Sequence, residues 1–263
     1  MKKVNNHTFA ICAYKESKYL EDCIKSLKKQ TIDSNIIICT STPNDYIKNL
    51  SKKYNLKLFI NKGKSGIGND WNFAVSKVKT DLCTIAHQDD IYEKNYLEEI
   101  INACQKYSSD SYSIVFGNYR ELKNGKVIDK TINLKIKEML QKKLIKHGDK
   151  KSARIRALKY GNSICCPCVT LNKKVVGDRP YCTNFKSNID WETWYNFAVL
   201  DKRFIYLNKE IMEHRIHEDS TTSELIENNE RINEDYEMFL KFWPKPIAKF
   251  FMYFYKNAVK TNG

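Results

Sequence analysis

Short apolar runs alternate with helical-period stripes through the first half of the chain. Phe9–Cys12 reads as a strand, and Tyr19, Leu20, Cys23, Ile24 and Leu27 follow at the spacing of one helix face. Asn35–Cys39 is a second strand. The polar Thr40-Ser41-Thr42-Pro43-Asn44 after it has the composition of a helix start, and that helix runs to about Tyr54. Leu56–Ile60 is a third strand, and the helix beyond it carries Trp71, Phe73, Ala74 and Val78 on its apolar side. Leu82–Ala86 is a fourth, buried strand, which stops abruptly at His87-Gln88-Asp89-Asp90. A β-α-β-α-β-α-β order implies an α/β fold with a parallel sheet and right-handed crossovers. The loops Ala13–Glu16, Cys39–Asn44, Asn61–Asn69 and His87–Asp90 then share the carboxyl rim of the sheet, where open α/β sheets bind ligands.

The second half is less regular. After a helix over Tyr96–Tyr107, Ser113–Arg120 and Lys126–Ile128 bracket Lys123-Asn124-Gly125 as a hairpin. Lys135–Lys159 holds ten basic residues against two acids, Glu138 and Asp149, and reads as a solvated, partly helical face; the sharper reading is a patch for lipid headgroups or phosphates. Ile164–Val169 reads as a strand, Ser187–Trp194 opens a helix with Ser187 or Asn188 as its cap, and Phe204–Leu207 is a further strand. His214 and His217 come next; in a strand, residues three apart face opposite sides, which argues against one shared metal. The tail from Phe239 holds eight aromatics, five lysines and no acid. Such a basic aromatic helix either lies in a membrane interface or packs on protein.

Composition narrows the partners. Lys+Arg 45 against Asp+Glu 31 gives a net charge of +14, which suits nucleic acid, anionic lipid or a phosphorylated substrate. Nine cysteines without an apolar leader point to a reducing compartment, and Cys165-Cys166-Pro167-Cys168 lacks zinc-ligand pairing, so buried thiols are expected. No uncharged apolar run reaches membrane-spanning length. The expectation is a soluble, cytoplasmic protein.

The chemistry gathers at Asp89 and Asp90. Like charges this close raise each other's pKa unless a cation or hydrogen-bond donors hold them. A divalent ion carrying a diphosphate would do so, whereas a helix cap beside a surface acid is the plain alternative. Gly63, Gly66 and Gly68 match neither a dinucleotide fingerprint nor a P-loop; a ligand contact and a turn needing positive φ both remain open.

Taken in order, these segments resemble the family 2 glycosyltransferases of GT-A fold from about Phe9 to Thr222. Ala13-Tyr14-Lys15-Glu16 with Tyr19-Leu20, Ser26 and Gln30-Thr31 is similar to the family's opening pattern, and Gly66–Asn72 stands before its donor-side helix. His87-Gln88-Asp89-Asp90 resembles the DXD motif, Asn188-Ile189-Asp190-Trp191-Glu192 the motif that carries the base, and Arg215-Ile216-His217 with Ser220 and Thr222 the late Arg-x-His segment. The sequence departs from the family where Cys39-Thr40-Ser41-Thr42 replaces Asp-Asp-Gly-Ser, where His87 replaces the first Asp of DXD, and where Ile189 replaces a glutamate.

The resemblance implies a mixed, mainly parallel GT-A sheet flanked by helices over residues 1–235, with a basic aromatic helical appendage over 236–263. It implies inverting, hexosyltransferase-type transfer from a nucleoside diphosphate sugar, a UDP-sugar, to an acceptor hydroxyl in bacterial surface polysaccharide or glycan synthesis. Asp190 would be the catalytic base. Ala13, Tyr14, Glu16, Thr40, Gly66, Asp70, Gln88, Asp89 and Trp191 would bind the donor, and Asp89, Asp90 and His217 would hold Mn²⁺ or Mg²⁺. The partners implied are that donor and a glycan or lipid-linked acceptor, with no nucleic acid, and with peripheral contact of the tail on the inner face of the cell membrane. A sugar nucleotidyltransferase would need a Gly-rich basic loop near the N-terminus, which Ala13–Lys18 matches poorly. A non-catalytic nucleotide-sugar or polyanion binder is the other alternative, and donor hydrolysis with divalent metal separates it from an enzyme.

Overall fold

A computed structural model of the chain describes residues 3–128, 131–217 and 230–260, with backbone alone for 3–5, 230 and 254–260. Among the described residues the strands are β1 (Lys3–Ala13), β2 (Asp33–Thr40), β3 (Lys57–Ile60), β4 (Leu82–His87), β5 (Ile91–Tyr92), β6 (Tyr112–Lys123), β7 (Lys126–Ile128), β8 (Thr170–Asn172) and β9 (Arg203–Ile216). The helices are α1 (Leu20–Lys28), α2 (Asp45–Lys53), α3 (Ile67–Lys77), α4 (Tyr96–Cys104), α5 (Ile132–Gln141), α6 (Leu144–His147), α7 (Lys151–Leu158), α8 (Lys173–Val176), α9 (Ile189–Val199), α10 (Glu230–Leu240) and α11 (Lys245–Lys260).

They build one mixed sheet in the order β3-β2-β1-β4-β8-β6-β9-β5, with β7 hairpinned onto β6. The first four strands are parallel, as the alternation predicts. Beyond β4 the direction changes: β8 runs antiparallel to both β4 and β6, and β9 returns parallel to β6. Period-two alternation sends Phe9, Ile11 and Ala13 of β1 to one face, against α1 and α4, and Ala10 to the other, against α3 and α9. The hairpin turn has Asn124 and Gly125 both at positive φ, the conformation that suits a two-residue turn.

Several expectations need correcting. Ile164–Val169 is no strand. Pro167 has no N–H to give a ladder, so Cys166–Cys168 closes a 3₁₀ turn, with Cys168 N donating to Cys165 O at 3.1 Å; the strand starts at Thr170. Phe204–Leu207 is the start of one long strand that runs on to Ile216 with irregular register near Asn118. Arg154, inside the basic stretch, is buried and not solvated: its guanidinium donates to Gly148, Asp149, Ala198 and Leu200 carbonyls, closing the end of α9.

The start of α9 is capped from a distance. Neither Ser187 nor Asn188 caps it with its own side chain; Glu234 of α10 accepts from the backbone N–H groups of Lys186, Ser187 and Asn188. Asn188 instead donates to Asp235 at 2.7 Å. α10 runs through residues 235 and 236, and aromatics at its end and beyond it pack inward: Phe239 lies edge-on to Trp191, Phe251 stacks on Phe239, and Trp243 donates to Lys159 O. On the outer side of α11, Ile247, Phe250 and Tyr253 stay exposed. No helix among the described residues is long and apolar enough to cross a membrane.

Candidate active site

β4 delivers His87-Gln88-Asp89-Asp90 to the rim between β1 and the returning β9. The segment behind them is clamped by the opening motif. Ser26 accepts from Tyr92 N at 3.1 Å, and the buried Gln30 side chain bonds Glu93 O and Leu97 N at 2.7 and 2.9 Å. Two residues of the family's first pattern therefore position the acidic loop.

The two adjacent carboxylates are separated by their partners. Asp90 is fully buried, and its Oδ1 takes Arg215 N at 2.9 Å and His214 Nδ1 at 3.0 Å. Asp89 Oδ2 lies 3.0 Å from His217 Nε2, while Arg215 Nε donates to the Asp89 carbonyl. Tyr19 supports this group, with the Arg215 guanidinium 4.2 Å above its ring and the His217 ring 5.0 Å away. Burial opposes a charge on His214, but the Asp90 carboxylate, Cys165 and Asp89 outweigh it and hold the imidazole up at about 10. Burial likewise pushes the Asp89 carboxyl up, yet the His217 hydrogen bond and the His87 and His214 rings hold it below its ordinary value.

His87, Asp89 and Asp90 can each turn one donor atom to within 4.8 Å of the others. Asp90 Oδ2 and His87 Nε2 are buried without a hydrogen-bond partner among the described residues, as expected of atoms left for an ion. One imidazole and two carboxylates suit Mn²⁺ better than Mg²⁺, which prefers an all-oxygen shell. His217, expected as a ligand, presents Nε2 to Asp89, and its Nδ1 has no partner among the described residues; the ring whose donor atom lies within 4.8 Å of both carboxylates is His87.

The expected donor residues are placed unequally. Tyr14 and Gln88 exchange reciprocal 3.0 Å bonds between backbone and amide, which ties the β1 loop to the β4 loop. Ala13 and Thr40 are buried strand ends; Thr40 Oγ1 accepts from Thr42 N, and Glu16 is exposed on the same rim. Asp70 is held at both oxygens, by Ser41 at 2.8 Å and Asn61 at 2.7 Å. Gly66 turns at φ +123° to start α3. Two positions on, a Cβ on Gly68 would stand 2.5 Å from Cys182 O, so this glycine permits close packing against the α9 side. Trp191 is a core residue and not a rim residue: it is fully buried, and its indole donates to Leu158 O at 3.1 Å.

Asp190 stands at the first turn of α9. Its carboxylate accepts from Asn162 Nδ2 at 2.7 Å and from Trp191 N at 2.8 Å. Burial raises its pKa above the usual carboxylate range, opposed by those two donors and by the Arg231 and His87 charges. Glu192 points elsewhere, to Lys241 at 3.2 Å. Ser220 and Thr222 lie outside the described residues. Sequence reasoning did not find Asn162, His87 as a third donor, His214 as the partner of Asp90, or Trp71, which stacks on His87 at 5.2 Å. Asn162 has no local signal; Trp71 was visible only as an apolar helix position.

A family model described as glycosyl transferase family 2 matches residues 8–178. The chain belongs to glycosyl transferase family 2, and its architecture is the GT-A fold. An uncharacterized glycosyltransferase of Rickettsia typhi is 22% identical over 237 residues, covering 88% of this chain and 70% of its own. Among solved structures, S. aureus TarS 1-349 in complex with UDP-GlcNAc is similar with a TM-score of 0.63 and 17% identity, over 94% of this chain and 70% of that one. Mannosyltransferase PcManGT from Pyrobaculum calidifontis, in complex with GDP-Man and Mn²⁺, has a TM-score of 0.65 and 12% identity, over 94% and 69%.

Proposed function

We propose that this chain transfers a sugar, with inversion, from a UDP-sugar to an acceptor hydroxyl, with Asp190 as general base. One observation carries the reading: two carboxylate sites on one rim have environments that push their proton affinities apart, Asp89 downward and Asp190 upward. Such a split marks a division of labour between charge stabilisation and proton transfer. Asp190 takes the acceptor proton as the acceptor oxygen forms its bond to the anomeric carbon and the bond to the diphosphate breaks on the opposite face. Asn162 and Trp191 N fix the carboxylate for that transfer. A divalent cation held by Asp89, Asp90 and His87, with His217 steadying Asp89, would supply Lewis-acid neutralisation of the leaving diphosphate. Ala13, Tyr14, Glu16, Thr40, Gly66, Asp70 and Gln88 line or brace the donor rim in this reading.

The choice of UDP follows the UDP and UDP-GlcNAc complexes of TarS, although PcManGT binds GDP-Man with the same fold. The acceptor we propose is a glycan or lipid-linked saccharide of surface polysaccharide synthesis, met at the inner face of the cell membrane. Residues 236–263 would act as an appendage there, supported by the exposed Ile247, Phe250 and Tyr253 beside Lys245 and Lys249.

A panel of nucleoside diphosphate sugars with and without Mn²⁺ tests the donor by thermal stabilisation. A true donor at a hundred times its Kd should add about 2.7 kcal/mol of stability. Uridine donors should give the largest metal-dependent shift, and the anomeric configuration of the product should be opposite to that of the donor. Retention of configuration, or stabilisation by guanosine donors alone, would overturn the corresponding part.

A further inference from the structure

We infer that the outer face of α5 and α6 is a docking surface for an anionic lipid bilayer. Basic stretches on soluble proteins are usually plain solvated faces, but this one exposes large apolar side chains as well. Ile132, Ile136 and Met139 are 78, 48 and 57% exposed, and Ile145 is 45% exposed. The first three recur at i, i+4 and i+7, which makes one continuous stripe along α5. Lys143 extends the stripe through the αR junction into α6, and Lys142 and Lys146 flank it, all exposed. Leu140, Gln141 and Leu144 face inward and are buried, so the outer residues are not waiting to complete the core.

Charge decides which partner fits. Over residues 132–147 the single acid, Glu138, is half-buried, and none of Lys142, Lys143 and Lys146 has an acidic partner among the described residues. A second copy of this chain meeting the same face would oppose lysine to lysine. Nucleic acid would satisfy the lysines but leave the isoleucines and methionine in water. An interface of acyl chains beneath anionic headgroups satisfies both at once, with the apolar stripe sunk at the boundary and the lysines at headgroup level.

The face also has a fitting position. On its other side α5 lines an open cleft through Leu134, Lys137, Glu138 and Gln141, opposite Tyr119 and Ser163. Lys137 donates to Tyr119 OH at 2.7 Å, and the Tyr119 ring lies edge-on to His214, the partner of Asp90. Gln141 donates to Ser163 O, next to the Asn162 that holds Asp190. A bilayer on the outer face therefore brings lipid-linked material to a cleft whose walls touch the supports of both carboxylate sites. The docking itself does not rest on the transfer reaction.

Sedimentation of the full chain with phosphatidylcholine vesicles, with and without phosphatidylglycerol, tests it. The chain should bind the anionic vesicles, and salt should weaken that binding. Ile136→Glu with Met139→Glu should reduce partitioning by about tenfold or more, and Lys142→Glu with Lys143→Glu by a similar factor. Both pairs should leave transfer to a soluble acceptor unchanged, since none of the four residues lines the cleft or the rim. A tail variant, Phe250→Ser with Tyr253→Ser, should reduce vesicle binding by less than either of these pairs. Equal partitioning of the α5 variants and the parent, loss confined to the tail variant, or conversion of a dimer to a monomer by Ile136→Glu without a vesicle effect would each overturn the proposal. Vesicle binding without any transfer activity would leave it standing and remove the catalytic reading instead.

Discussion

The carboxylates at the end of β4 and the carboxylate at the start of α9 are all at least partly withdrawn from solvent, yet Asp89 and Asp190 are driven in opposite directions. Burial alone disfavours charge at both. At β4 it is overcome, because β9 returns beside it and presents His214 and His217 one to each acid. At α9 the nearest donors are neutral, an amide side chain and a backbone N–H, and the balance stays with burial. Residues of one type thus acquire different environments from what the returning strand does or does not supply. The β4 site is suited to remain charged against a cation and a diphosphate; the α9 site is suited to exchange a proton.

The largest test of this contrast is Asp190→Asn, which keeps the shape and removes the proton acceptor. Transfer should fall by roughly 10²–10⁴-fold while nucleotide-sugar affinity survives, measured as single-turnover rate against donor Kd. Collapse in Glu192→Gln with near-normal Asp190→Asn would move the base, although Glu192 is already engaged with Lys241. A smaller effect, of a different kind, is expected from Asp89→Asn. Removing that charge should weaken Mn²⁺-dependent donor binding on the order of 10–100-fold, the range seen when supports of metal sites are lost. Metal-free binding of the nucleotide should change far less. Titration calorimetry with and without Mn²⁺ separates the two, and equal losses in both would show that Asp89 does not act through an ion.

Much of this arrangement was legible from residue order, for physical reasons that differ along the chain. The parallel half reads well because residues 9–11, 37–39 and 82–86 are buried on both faces and so stand out as apolar runs between amphipathic helices. Asp89, Asp90 and Asp190 were singled out through motif order. Their partners were not: His214 is 124 residues from Asp90, and its role follows from β9 re-entering beside β6 and β5, which no local pattern announces. Trp191 misled because its place in a motif suggested a ligand contact, whereas its size made it a core anchor between Phe239 and Phe242. The α5 face was visible as charge, but that Ile132, Ile136 and Met139 stay outside could be learned only from which side Leu140 and Leu144 bury.

The smallest expected effect sharpens the contrast most, because it should move a pH profile with little change in the plateau. Asn162 Nδ2 donates to Asp190 Oδ2 at 2.7 Å and so favours the charged carboxylate, partly offsetting burial. Asn162→Ala removes that donor, and the raised pKa of Asp190 should rise further. In the proposed reaction the base works only when deprotonated, so at any pH below its pKa a smaller fraction of the enzyme is competent. The acid limb of kcat/KM against pH should therefore shift to higher pH. A hydrogen bond to a charged group is worth about 1.5–3 kcal/mol, which corresponds to a shift of roughly one to two pH units. On the alkaline side of the limb, where the carboxylate is ionised in both proteins, the rates should converge to within about tenfold, the loss there being one of orientation. A shift of the limb toward lower pH would mean that Asn162 stabilises the protonated acid, and the assignment of Asp190 as base would fall with it. A uniform loss at every pH would make Asn162 a structural support with no hand in setting the proton affinity.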